Sequence, residues 1–138
     1  MPTPLKKTSA PKRNHMEKCP TGIKGFDQVT EGGLPKNRTT LISGGAGSGK
    51  TLLGLDFLIK GATDYNEPGV FMSFEETADE LYQDVASLNM DLSGLVSRKK
   101  ILLARSWISL PQNCLPESEV LHILPIKRRK YLLTIGSA

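Results

Sequence analysis

Residues 39–43 form a β-prone run, Thr39-Thr40-Leu41-Ile42-Ser43, that leads directly into Gly44-Gly45-Ala46-Gly47-Ser48-Gly49-Lys50-Thr51. Leu52-Leu53-Gly54-Leu55 then opens a helical pattern. This order of strand, glycine loop and helix constrains the fold more than any other feature, because it is the context in which such a loop wraps an anion. Glycines at 44, 45, 47 and 49 are expected to adopt conformations closed to residues with a Cβ, so that successive amides turn inward. The helix adds its N-terminal amides and dipole. Lys50 is placed to reach the outer phosphates of a nucleotide, and the Thr51 hydroxyl to serve as a ligand of Mg²⁺. A flexible Gly/Ser loop ahead of a helix is the competing reading, but it does not require lysine and threonine at these offsets.

Composition narrows the remaining classes. With 138 residues, 38% hydrophobic and 23% charged, the chain can hold one modest globular domain. No stretch approaches the ~20 apolar residues of a membrane span, and Met1–Lys7 lacks the apolar centre of a signal peptide. Cys19, Cys114, His15 and His122 match no metal or redox spacing, so a reduced cytoplasmic setting is expected. The net charge of +4 gathers at the ends, in Lys6, Lys7, Lys12, Arg13 and Lys18 and in Lys127-Arg128-Arg129-Lys130. No aromatic residues interleave with either cluster, so both read as solvated tails and not as a nucleic-acid groove.

Along the chain, residues 1–18 read as a disordered basic leader. Gly25–Val29 is expected to form a helical turn, and Asn37 to take a tight turn at positive φ. The helix after the glycine loop should run to about Tyr65 and stop at Asn66-Glu67-Pro68-Gly69. Val70–Phe74 reads as a strand. Thr77 follows as a helix N-cap, with Glu80 at capping-box spacing. Asp91–Val96 reads as a short helix and Ile101–Ala104 as a third strand. Alternating strands and helices imply an α/β fold with a mostly parallel sheet. A right-handed crossover makes the strands ending at Ser43 and Phe74 parallel. If they are neighbours, Glu75 and Glu76 face the phosphate site, where one could orient or deprotonate a water. The alternative is that both simply favour the dipole of the next helix. Spacing alone leaves these two readings level.

Four segments, Thr21-Gly22-Ile23-Lys24-Gly25-Phe26-Asp27, Glu31-Gly32-Gly33-Leu34-Pro35, the glycine loop, and Glu67–Thr77, together resemble the KaiC family. These are RecA-like P-loop ATPases that include the bacterial circadian clock protein. The resemblance covers about residues 20–104 and implies an incomplete RecA-like ATP-binding domain over 19–104. It implies ATP bound with Mg²⁺, slow hydrolysis, Ser/Thr autokinase activity in the clock member, and a homohexameric ring. Transferred by residue, it assigns Gly47, Ser48, Gly49, Lys50, Thr51 and Leu52 to the ATP-phosphate loop and Ser87 to a position near the nucleotide. It makes Glu75 and Glu76 a catalytic acidic pair.

The resemblance ends after Ala104. A RecA-like core uses a later strand ending in aspartate to help hold Mg²⁺, yet no aspartate follows Asp91 in this sequence, and the later acids are Glu117 and Glu119. Residues 105–138 therefore read as a divergent tail in which Pro111, Pro116 and Pro125 interrupt any long helix or central strand. A truncated family member, with a shifted reading frame or premature termination, is one expectation. The other is a short variant whose tail packs over the sheet, using 120–124 and 131–135 as strands. ATP binding is the first functional expectation. A non-catalytic nucleotide-binding or interaction fragment is the alternative, and a DNA-acting RecA-like ATPase or a small-molecule kinase stands behind it.

Overall fold

The computed structural model describes residues 16–74, 76–105, 119–124 and 131–137. Near the start, β1 (Lys18–Cys19) pairs antiparallel with β2 (Leu34–Pro35). Between them lies α1 (Phe26–Val29), the expected helical turn. Asp27 organises this segment. Its carboxylate accepts from Thr21 N at 2.9 Å, Thr21 Oγ1 at 2.6 Å and Gly22 N at 3.0 Å. Burial alone would raise the Asp27 carboxyl, but the Thr21 hydroxyl and the Thr21 and Gly22 amides outweigh it and hold the pKa below the usual value.

The main sheet has the order β3-β6-β7-β4-β5. Its strands are β3 (Thr40–Gly44), β4 (Gly69–Ser73), β5 (Ile101–Arg105), β6 (Glu119–Leu124) and β7 (Tyr131–Ser137). β4 runs parallel to both β5 and β7, whereas β6 is antiparallel to both β3 and β7. Hence β3, β7, β4 and β5 point one way and β6 opposes them. The α/β class and the mostly parallel sense agree with the sequence reading.

The tail departs from that reading. Pro111, Pro116 and Pro125 do not prevent central strands, because β6 and β7 occupy the proline-free stretches between and after them. Nor do these strands pack over the sheet. They enter it between β3 and β4, with Ile42 opposite Leu121 and Phe71 opposite Leu133. β3 and β4 are therefore not neighbours, although their carboxyl ends still share one edge.

Three helices complete the core. α2 (Lys50–Asp64) packs against every strand of the main sheet, α4 (Leu92–Ser97) against β5, and α3 (Ala78–Ala86) against α2 and α4. α2 turns Leu55, Phe57, Leu58, Ile59 and Ala62 inward. They meet Phe71, Ile101 and Ile123 from alternate positions of three strands, in one cluster with Leu81, Val85, Leu92 and Leu95. Burying each large aliphatic or aromatic side chain of this kind is worth about 1.5–3 kcal/mol. The other sheet face is more open, with Leu41 and Leu102 exposed. α2 ends at Asp64, and Asn66 beyond it takes a positive φ of 54°. Asn37, at φ 58°, adopts the left-handed turn expected of it.

Candidate functional site

The glycine loop leaves β3 at Gly44 and becomes α2 at Lys50. A turn closes it, with Ser48 N donating to Gly45 O at 3.2 Å. The four glycines are not equivalent. Gly47 and Gly49 hold φ values of 71° and 86°, which disfavour any side chain. Gly44 has ordinary φ but no room, since a Cβ there would stand 2.7 Å from Ser48 Oγ. Gly45 has neither constraint, so the expectation that all four need forbidden conformations is corrected to two, with a third required by space.

Residues 45–49 are exposed, and Lys50 lies beneath them at 5% exposure. A buried ammonium is costly unless its donors are satisfied. Here Lys50 Nζ donates to Gly45 O at 2.7 Å, Gly44 O at 3.0 Å and Ser48 Oγ at 3.0 Å. The amine therefore points into the loop. Leu52 is half-buried in the first turn of α2.

The two helix N-termini at this edge differ. α3 is capped by its own residues: Thr77 Oγ1 accepts from Glu80 N, Glu80 Oε2 accepts from Thr77 N, and Asp79 and Glu80 occupy the first turn. The capping box expected from the sequence is thus formed. α2 begins at Gly49 with no side-chain cap and no acid in its first turn. No side chain caps its leading amides, the arrangement in which a helix N-terminus can meet an anion.

Glu76 reaches the loop although β3 and β4 stand three strand spacings apart, ~14 Å. α2 lies over the intervening strands, which brings its second residue close to the end of β4. Thr51 Oγ1 donates to Glu76 Oε1 at 3.1 Å. Glu76 N in turn donates to Ser73 Oγ at 2.9 Å, from a serine only 2% exposed at the last position of β4. The sequence reading did not single out Ser73. Its signal is a hydroxyl closing an apolar strand three residues before an acid, a common side-chain-to-backbone turn. Glu75 lies outside the described residues. Ser87 is exposed at the C-terminal end of α3, where its hydroxyl donates to Asp84 O at 2.8 Å. That end is ~13 Å along the helix from the capping box.

At the carboxyl edge the strands end in Gly44, Ser73, Arg105 and Ser137, so none of the described strands finishes there in aspartate. Glu119 opens β6 in register with Gly44, at this same edge. The sequence reading, in which Glu119 follows no strand-like run although 120–124 could be a strand, gives it no role. Among the described residues no three His, Cys, Asp or Glu side chains gather as a metal cluster, and no helix is long and apolar enough to cross a membrane.

Comparison with known proteins agrees with these features. A family model described as "ATPase: KaiC" matches residues 19–109. The circadian clock protein KaiC2 of Synechocystis is 57% identical over 91 residues, which is 66% of this chain and 16% of that protein. The circadian clock oscillator protein KaiC of Prochlorococcus marinus is 43% identical over 101 residues, 72% of this chain and 20% of that protein. The KaiC of Thermostichus vulcanus is 41% identical over 101 residues, 73% of this chain and 19% of its own length. The chain thus spans about a fifth or less of the relatives it matches. On the match over residues 19–109, the chain belongs to the KaiC family of ATPases.

Proposed function

We propose that this chain binds ATP as its Mg²⁺ complex through residues 44–52, within a nucleotide-binding unit spanning 19–104. The observation that carries the reading is the contrast between the two helix N-termini. α3 satisfies its own, whereas α2 presents uncapped amides beside a lysine amine turned into the loop. Gly44, Gly45, Gly47, Ser48 and Gly49 supply the backbone cradle, Lys50 the cationic contact, and Thr51 with Leu52 the first helical turn. Ser87, at the far end of α3, is assigned by the family resemblance to a position near the nucleotide.

The donor set fits the metal. Mg²⁺ takes hard oxygen ligands, and the Thr51 hydroxyl with the Glu76 carboxylate beside it supplies that chemistry. When bound, Mg²⁺ neutralises phosphate charge and polarises the phosphoryl group. Glu75 and Glu76 are proposed to orient the attacking water and accept its proton in slow hydrolysis. Binding without turnover is the second reading, favoured by the described sheet having no aspartate at the carboxyl end of a strand. A hexameric ring, autokinase activity, a clock role and a cytoplasmic setting follow from the family and stand as proposals for this chain.

Titration of the purified chain with a fluorescent ATP analogue tests the reading. Lys50→Ala is expected to abolish binding, because it removes the ammonium and leaves the loop carbonyls without their donor. Unchanged affinity in that variant would overturn the assignment of the loop.

A further inference from the structure

We propose that the negative charge of Glu119 opposes nucleotide phosphate at the glycine loop, so that the site discriminates against ATP that carries no metal ion. The inference rests on the nucleotide reading above and deepens it by giving the tail a part in the specificity of the site. The family match ends at residue 109, so this acid belongs to the stretch beyond it.

Register and face carry the argument. β6 runs antiparallel to β3 and opens with Glu119 opposite Gly44, the residue at which the loop leaves the sheet. Cα atoms paired in this way stand ~4.5–5.5 Å apart. Successive residues of a strand alternate between the two faces. Ile123 belongs to the core cluster under α2 and Ile42 packs against it, whereas Leu41 is exposed. Gly44 and Glu119 are in step with Ile42 and Ile123, and are therefore positions on the α2 face. That face also holds the cation of the loop. A Cβ on Gly44 would meet Ser48 Oγ at 2.7 Å and Lys50 Cδ at 3.9 Å. Lys50 Nζ, moreover, donates to the carbonyl of Gly44 itself at 3.0 Å. Position 119 thus stands opposite the residue that anchors the ammonium. A carboxylate there draws on the same positive charge that phosphate needs and repels the phosphate as well. A divalent ion cancels part of the phosphate charge, so the penalty falls most heavily on free ATP.

Two other roles for Glu119 are a solvated strand end and a partner of the metal. Binding of a fluorescent ATP analogue is measured for the unaltered chain, Glu119→Gln and Glu31→Gln, each with Mg²⁺ and with EDTA. Glutamine keeps the size of the side chain and removes its charge. Glu31, exposed just beyond α1, controls for the change in net charge. Glu119→Gln should bind ~10-fold more tightly in EDTA and gain less in Mg²⁺. Raising KCl to about 0.5 M should shrink the EDTA gain. Glu31→Gln should match the unaltered chain in both conditions. Equal affinities for the two variants would overturn the proposal and mark a solvated strand end. Weaker binding of Glu119→Gln in either condition would overturn it too, and a loss confined to Mg²⁺ would mark a metal partner. A gain undiminished by salt would assign the effect to packing and not to charge, which also overturns it. Failure of all three proteins to bind would instead sink the nucleotide reading and this one with it.

Discussion

Truncating Ile123 tests whether the tail belongs to the core. Ile123 is 4% exposed in β6, opposite Thr40 of β3 and Leu133 of β7, and it joins the cluster built around Leu55, Leu58 and Phe71. Removing an isoleucine down to Cβ in such a place costs about 2–5 kcal/mol, through lost transfer energy and a residual cavity. Taking ~3 kcal/mol, with a urea slope of ~1.5 kcal/mol per M for a small domain, Ile123→Ala should lower the unfolding midpoint by ~2 M. Because that loss could exceed the stability of a marginal domain, Ile123→Val supplies a gentler step of about 0.5–1.5 kcal/mol. Urea unfolding followed by far-ultraviolet circular dichroism reads both. Phe71→Ala, fully buried in β4, is the positive control, and Leu88→Ala, 47% exposed, should stay within about 0.5 kcal/mol. If both Ile123 variants behave like Leu88→Ala while Phe71→Ala is destabilised, β6 does not lie between β3 and the rest of the sheet.

Two further outcomes follow from local contacts. Asp27 has a folded pKa below its ordinary value, so its contribution is complete above the unfolded pKa of about 4 and fades as pH falls through the folded value. Acid titration of stability should therefore show a loss below about pH 4 that is smaller in Asp27→Asn, which should also be about 1–3 kcal/mol less stable at neutral pH because charged acceptance from Thr21 and Gly22 is gone. An identical acid profile in the variant would contradict this role. Thr77→Ala should remove the cap of α3 and cost about 1 kcal/mol in thermal or urea unfolding, with Glu80→Ala non-additive because both belong to one capping box.

Much of the first hundred residues was legible because its signals are local. Thr77 and Glu80 stand three apart and cap each other directly. Asn37 is one of the few residue types that tolerate the left-handed turn it occupies. The glycine loop was legible because its glycines, lysine and threonine keep fixed offsets between a strand and a helix, whereas the bonds of Lys50 to Gly44 O and Gly45 O were not foreseen. Glu76 was legible only as one of a pair. Its partner choice depends on where α2 crosses the sheet, which no spacing within 75–80 encodes.

The tail shows why the rest was hidden. Apolar runs such as 120–124 and 131–135 specify strand character but not address, since backbone hydrogen bonds accept any strand. The address comes from the crossover. β3, α2 and β4 form one crossover unit, and α2 packs against every strand of the sheet, with two more strands seated between β3 and β4. A short antiparallel pair can enter those places from one edge, and Ile123 at 4% exposure shows that the α2 side accepts an apolar residue there. Proline positions warned against central strands because prolines were counted across the tail as a whole. The relevant unit is the six or seven residues that pair, and neither β6 nor β7 contains one. The same insertion sets Glu119 at the edge beside Gly44. Where Glu119 falls along the sheet therefore depends on a pairing that only the assembled sheet can specify.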